Sequence, residues 1–170
     1  RILLITHWYK PVKSPVKRMV RIAEYLAQKH EVVVLTSLPS YPTGILPPEY
    51  RGKLWQTKKE NGVKVIRVWD LPTANKGFFK RTINHLVFAF SAALGALFMK
   101  PFDVTIVPSP SFFAGLSGLL ARTLGDGRFI FDVRDLWPDS AFELGYHARP
   151  LIKKVLKSLE KLYYQKASRI

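Results

Sequence analysis

Cysteine is absent from these 170 residues, which excludes disulfide bridges, thiolate metal sites and cysteine nucleophiles. The absence accords with a reducing interior. Acidic residues are scarce: 12 Asp and Glu stand against 27 Lys and Arg, giving a formal charge of +15 and a sequence pI near 10.2. A field of that size favours an anionic partner, whether nucleic acid, anionic lipid or a phosphorylated substrate. Glycine is missing from the first strand-to-helix turn, Lys10-Pro11-Val12-Lys13-Ser14-Pro15. The G-x-G-x-x-G phosphate loop is therefore lacking, and a dinucleotide-binding enzyme is disfavoured. Long apolar runs are missing as well. The uncharged run from Leu86 to Met99 falls short of the roughly 20 residues a membrane-spanning helix needs. Ile2-Leu3-Leu4-Ile5 is too short for the core of a secretion signal and reads as a first strand. No internal repeat and no low-complexity linker interrupts the chain.

What is present suits one domain with a two-faced core, since 48% of residues are hydrophobic and 13% aromatic. A strand over 2–6, a helix from about Ser14 to Lys29 and a strand over 31–36 predict a crossover unit, with Ser14 capping and Pro15 in the first turn. The proline-braced loop 37–44 follows, a placement that often carries function. Asn61-Gly62 between the runs 54–59 and 63–69 predicts a β-hairpin whose second arm, rich in valine, joins the main sheet. The strand 104–107 stops at Pro108-Ser109-Pro110-Ser111, where Ser111 is expected to cap a helix reaching Thr123. Gly115 and Gly118 would let that helix approach the sheet. The fold class predicted is α/β: Rossmann-like and doubly wound, with a mainly parallel sheet, helices on both faces and one hairpin insertion.

The densest chemistry lies at Asp132-Val133-Arg134-Asp135-Leu136-Trp137-Pro138-Asp139-Ser140. The buried-looking run Phe129-Ile130-Phe131 leads into it, and ligands of open α/β sheets gather beyond the carboxyl ends of strands. Carboxylates, a guanidinium and an indole at such an end look like a site. The same residues also suit a strand-end salt bridge followed by a helix start, with Pro138 in the first turn.

Two further stretches carry charge beside apolar surface. Phe78 and Phe79, bracketed by Lys76, Lys80 and Arg81, have the composition of an interfacial membrane segment, while the run 86–99 reads as a helix packed on the sheet. Leu151, Ile152, Val155, Leu156, Leu159, Leu162 and Tyr163 line one side of a later helix with lysines largely opposite, as a surface helix or a docking face. Another strand is expected to begin at the end of the chain. Nucleic acid is disfavoured, because the aromatics sit in apolar runs and no recognition motif appears.

Taken in order, the segments 35–44, 50–54, 62–69, Ser109-Pro110 and 131–140 resemble the amino-terminal domain of family 4 glycosyltransferases of GT-B architecture, in the branch that builds polysaccharides and lipid-linked sugars. The resemblance implies that residues 1–170 form the single acceptor-side Rossmann-like domain, with no counterpart here of the carboxyl-terminal domain that holds most of the donor site. It implies a retaining transfer from a nucleotide-sugar co-substrate to a lipid-linked or saccharide acceptor, with no metal and no other cofactor. The enzyme would sit in the cytoplasm, peripheral at the inner face of the cell membrane on an anionic surface, and the isolated domain would be inactive. On that reading Asp135 and Arg134 are the catalytic candidates. Lys13, Ser14, Tyr41, Thr43, Ser109, Ser111, Trp137 and Asp139 are the substrate-binding candidates, and Phe78, Phe79, Lys80 and Arg81 the membrane contacts. The sequence departs from relatives at Lys13-Ser14, where many have a Gly-Gly pair, and at Asp135, where many have a histidine. The alternative is a non-catalytic basic binding module that docks on a membrane or a partner chain.

Overall fold

The computed structural model describes residues 1–12, 17–74, 77–143, 145 and 149–170. Lys13, Ser14 and Lys76 lie outside the described residues, and the side chain of Phe78 is not described. Six strands form one sheet: β1 (Ile2–Ile5), β2 (Val32–Ser37), β3 (Trp55–Glu60), β4 (Val63–Val68), β5 (Val104–Pro108) and β6 (Arg128–Asp132). Their spatial order is β3-β4-β2-β1-β5-β6, with every pairing parallel except β3 against β4. The expected doubly wound α/β fold is therefore the observed one. The chain leaves β1 toward β2 and β4, then returns across the sheet to β5, which places the topological switch between β1 and β5.

Strand periodicity explains the two layers. Along β1, Leu3 and Ile5 face α2 (Phe78–Leu97), α3 (Ala114–Thr123) and α5 (Pro150–Lys166), while Ile2 and Leu4 face α1 (Lys17–Leu26) through Met19 and Ala23. Valine and isoleucine dominate because a parallel sheet is covered on both sides. In the hairpin, Asn61 and Gly62 both take positive φ, 49° and 81°, as a two-residue loop between twisted strands requires. Lys58 and Lys59 lie on the free edge strand β3 and protect it against further pairing. Gly118 packs α3 onto the sheet: a Cβ there would lie 2.6 Å from Val107 Cγ2 and 2.8 Å from Phe129 Cε2. At the chain end, where a further strand is expected, Phe131 N–H donates to the Arg169 carbonyl at 3.2 Å and the backbone forms a single parallel bridge to β6.

Four details differ from the sequence reading. First, α1 ends at Leu26, and residues 27–29 close with tightened turns such as Lys29 N–H to the Leu26 carbonyl at 3.2 Å. Second, Ser111 caps nothing. A short 3₁₀ turn, Ser109–Ser111, feeds the backbone into α3 already wound, and its serine hydroxyls accept from backbone N–H groups after β1 and β6. Third, Phe78 to Arg81 form the first turn of a long α2 rather than a segment before it. Charges there sit on a solvated turn and do not interrupt the helix. Among the described residues no helix is long and apolar enough to cross a membrane. Fourth, burial along α5 begins only at Leu156, so Leu151, Ile152 and Val155 are exposed. Glu160 is buried on the apolar side, where it meets Lys157 Nζ at 2.5 Å and the Tyr164 hydroxyl at 3.2 Å.

Candidate functional site

The segments that follow β1, β5 and β6 meet the first turns of α2 around a cavity of 180 Å³. The segment after β1, Thr6-His7-Trp8, begins the construction. His7 N–H donates to Ser111 Oγ at 3.0 Å, which ties the end of β1 to the end of β5 across the switch point. The His7 ring stacks between Phe88 at 4.5 Å and Trp8 at 4.8 Å, and Trp8 continues the column to Tyr41 at 4.3 Å. A second aromatic group stands opposite, where Trp137 packs on Phe112 at 4.4 Å and on Phe113 at 5.7 Å. The cavity lies between the two groups. Trp8, His85 and Arg81 line one side, and Phe112, Asp135 and Trp137 the other.

Behind the column runs a buried polar chain. His7 Nε2 lies 3.2 Å from Asp70 Oδ2, and Asn84 Nδ2 donates to the same oxygen at 3.1 Å and to the Leu71 carbonyl at 2.6 Å. Burial raises the Asp70 carboxyl from 3.8 to about 6, against the stabilising bonds of Asn84 and Ser37, and burial lowers His7 from 6.5 to about 3. The signs oppose. Asp70 holds its proton more tightly when folded, so its contribution to stability falls as pH rises from 3.8 to about 6. His7 resists protonation when folded, so its contribution rises as pH climbs from about 3 to 6.5. The pair is therefore expected to add little net slope between 3.8 and about 6, and to destabilise the fold below 3.8, where only the His7 slope remains. Carbon and nitrogen NMR titration should find the Asp70 carboxyl changing near pH 6 and the His7 ring still neutral at 3.8. A His7 midpoint near its ordinary value would contradict the burial account.

The structure separates the carboxylates of the 132–140 stretch. Asp132 is held by Arg18, whose Nη2 donates to Oδ1 at 2.8 Å, and Asp139 accepts from Lys157 Nζ at 2.7 Å. Among the described residues Asp135 has no side-chain partner, and it alone of the three lines the cavity. Ser109 Oγ accepts from the backbone N–H of Arg134 at 2.8 Å and of Asp135 at 3.0 Å, which holds this loop in place. Both Ser109 and Ser111 are buried with their hydroxyls engaged by backbone. The Arg134 side chain is exposed and outside the cavity. Tyr41 lines a small adjoining recess shared with Trp8, Arg81 and His85, whereas Thr43 is exposed and accepts from Ile45 N–H at 3.2 Å. Phe79 and Lys80 are exposed on α2, and Arg81 lines the cavity.

Sequence reasoning passed over His7, Trp8, Asp70, Asn84 and His85 as site residues. A signal existed for two pairs. His7-Trp8 follows the first strand directly, at the position where a doubly wound sheet opens, and Asn84-His85 are polar residues entering an otherwise apolar run. Asp70 had no such mark. Among the described residues no group of three His, Asp or Glu side chains is placed to hold a metal ion. Residues 15–170 match the family described as glycosyl transferase 4-like domain. No curated protein matches the chain.

Proposed function

The chain belongs to the glycosyl transferase 4-like family, and on that premise we propose that it is the acceptor-binding half of a retaining glycosyltransferase that works at an anionic membrane face. The observation that carries this reading is the cavity at the switch point, where two aromatic walls flank the Asp135 carboxylate, unpaired among the described residues, and the Arg81 guanidinium. Aromatic rings present flat apolar surface to the carbon face of a pyranose, and a carboxylate accepts hydrogen bonds from its hydroxyls. As the bond from donor sugar to diphosphate breaks, positive character develops at the anomeric carbon, and the acceptor hydroxyl has to lie close and in line. Asp135 fixes that acceptor, while Arg81 and Arg134 supply positive potential toward phosphate. No side chain here is assigned as a base. The acceptor proton passes to the leaving phosphate. The nucleotide-sugar is held mainly by a second Rossmann-like domain.

The outer face of α2 supports the membrane part. Phe79, Leu86, Phe90, Leu94 and Leu97 are exposed along it, with Phe98 at its end, and Lys80 and Arg81 flank its start. Arg81 on this same helix lines the cavity, so a lipid-linked acceptor would keep its chain in the bilayer while its sugar enters the site.

The test is transfer from nucleotide-sugar to a lipid-linked acceptor by the full-length protein, wild type against Asp135→Asn. A hydrogen bond to a charged group contributes about 1.5–3 kcal/mol, so kcat/KM should fall about ten- to a hundredfold. Unchanged turnover would remove Asp135 from the site.

A further inference from the structure

Two histidines meet beside the cavity, and only one of them lines it. His7 is fully buried and bonded through Nε2 to Asp70, as expected of a core imidazole. His85 is only partly buried, lines both the cavity and the recess beside it, and has no hydrogen-bond partner on its ring among the described residues. Its orientation is nevertheless fixed. The ring meets His7 edge-on at 4.4 Å and 89°, and Trp8 at 5.5 Å and 81°. His7 is anchored in turn by Asp70, and Asp70 by Asn84, the residue that precedes His85 on α2. A ring held this firmly at the cavity lining, with no partner on its nitrogens among the described residues, is arranged to meet a ligand.

We infer that His85 is a specificity residue that reads hydroxyls of the acceptor pyranose, donating one hydrogen bond and accepting another from neighbouring hydroxyls of a ring seated between Trp8 and Trp137. The inference rests on the saccharide reading of this cavity. Burial, reinforced by His7 and Arg81, keeps the imidazole neutral. A neutral imidazole offers one N–H donor and one lone-pair acceptor, which matches a pair of adjacent hydroxyls where a cation or a carboxylate would not. Asp135 on the facing wall accepts only, so the two side chains together discriminate epimers by which hydroxyl points where. No proton transfer is assigned to His85.

The experiment titrates the full-length protein with methyl α-D-glucopyranoside, methyl α-D-galactopyranoside and methyl α-D-mannopyranoside. It follows the indole N–H signals of Trp8 and Trp137 and the ring nitrogens of His85. These glycosides carry no diphosphate, so their binding reports a site that needs none. At least one should shift both indoles and the His85 ring. His85→Phe should weaken it about tenfold and level the differences among the three sugars, whereas His85→Gln, which keeps one donor and one acceptor, should stay within about threefold of wild type. Shifted indoles with unmoved His85 signals in the wild type, or equal affinity in His85→Phe, overturn the inference and leave the saccharide site standing. Should none of the three move either indole, the saccharide reading falls and takes the inference with it.

Discussion

Replacing Arg67 by alanine is expected to cost about 3–5 kcal/mol of folding stability, the penalty for breaking a buried ion pair from one side. The guanidinium sits on the inner strand of the hairpin with 1% of its side chain exposed. Its Nη2 donates to the Lys10 carbonyl at 2.7 Å and to Glu60 Oε1 at 3.0 Å, and its Cζ lies 5.7 Å from the centre of the Tyr50 ring. Truncation removes all three contacts at once, leaves Glu60 facing a void, and releases the backbone at Lys10 just where the first strand-to-helix turn begins. Arg67→Met should cost less, because it fills the space and Glu60, 17% exposed, retains some access to water. Urea unfolding followed by circular dichroism measures both. A loss below about 1 kcal/mol for the alanine variant would show that the pair is no more than a surface bridge.

Arg67 also marks where pattern reading stops. The run Val63–Val68 declares a strand through its valines, and a charged residue near its end reads as solvent-facing, yet burial extends across four consecutive positions from Val65. The hairpin folds β3 and the 3₁₀ turn Pro48–Tyr50 over a position that alternation alone would leave open. Elsewhere local chemistry was sufficient. Asn61-Gly62 fixed the hairpin, valine and isoleucine runs fixed the parallel strands, and Gly118 announced a helix lying close on the sheet. Helix ends were harder to place. Ser111 has the chemistry of a cap, but its hydroxyl is taken by His7 N–H, a partner more than a hundred residues earlier in the chain.

The candidate site divides along the same line. Asp135 and Trp137 were legible because strand, charge and indole are contiguous in sequence. Trp8, Arg81 and His85 were not. They come from β1 and α2, and only the strand order that sets β1 beside β5 brings them to the same cavity as Asp135. Sequence could also not rank the three carboxylates of the stretch, since Arg18 and Lys157, which occupy two of them, reach in from α1 and α5.

The outer face of α2 gives the other large effect. Its inner side, Phe88, Ala89, Ala92 and Ala96, is buried on the sheet and on α3, where small residues allow close approach. The opposite side leaves Phe90 66% and Phe98 86% exposed, in line with Leu86, Leu94 and Leu97. Lys80 and Arg81 at one end and Lys100 just beyond the other give the strip a basic border, suited to anionic head groups. Immersing one large apolar side chain contributes about 1.5–3 kcal/mol, and a glutamate in its place adds repulsion from the anionic surface. The double change Phe90→Glu and Leu94→Glu should therefore weaken binding to vesicles rich in anionic lipid by about a hundredfold or more, while leaving thermal stability nearly unchanged because neither side chain belongs to the core. Lys80→Glu should act more weakly, by about 2 kcal/mol, and its effect should fade as salt rises while that of the double change persists. Flotation at low and high ionic strength separates the two. Undiminished flotation of the double variant would take α2 out of the membrane contact, and a loss that salt abolished entirely would leave charge alone as the attraction.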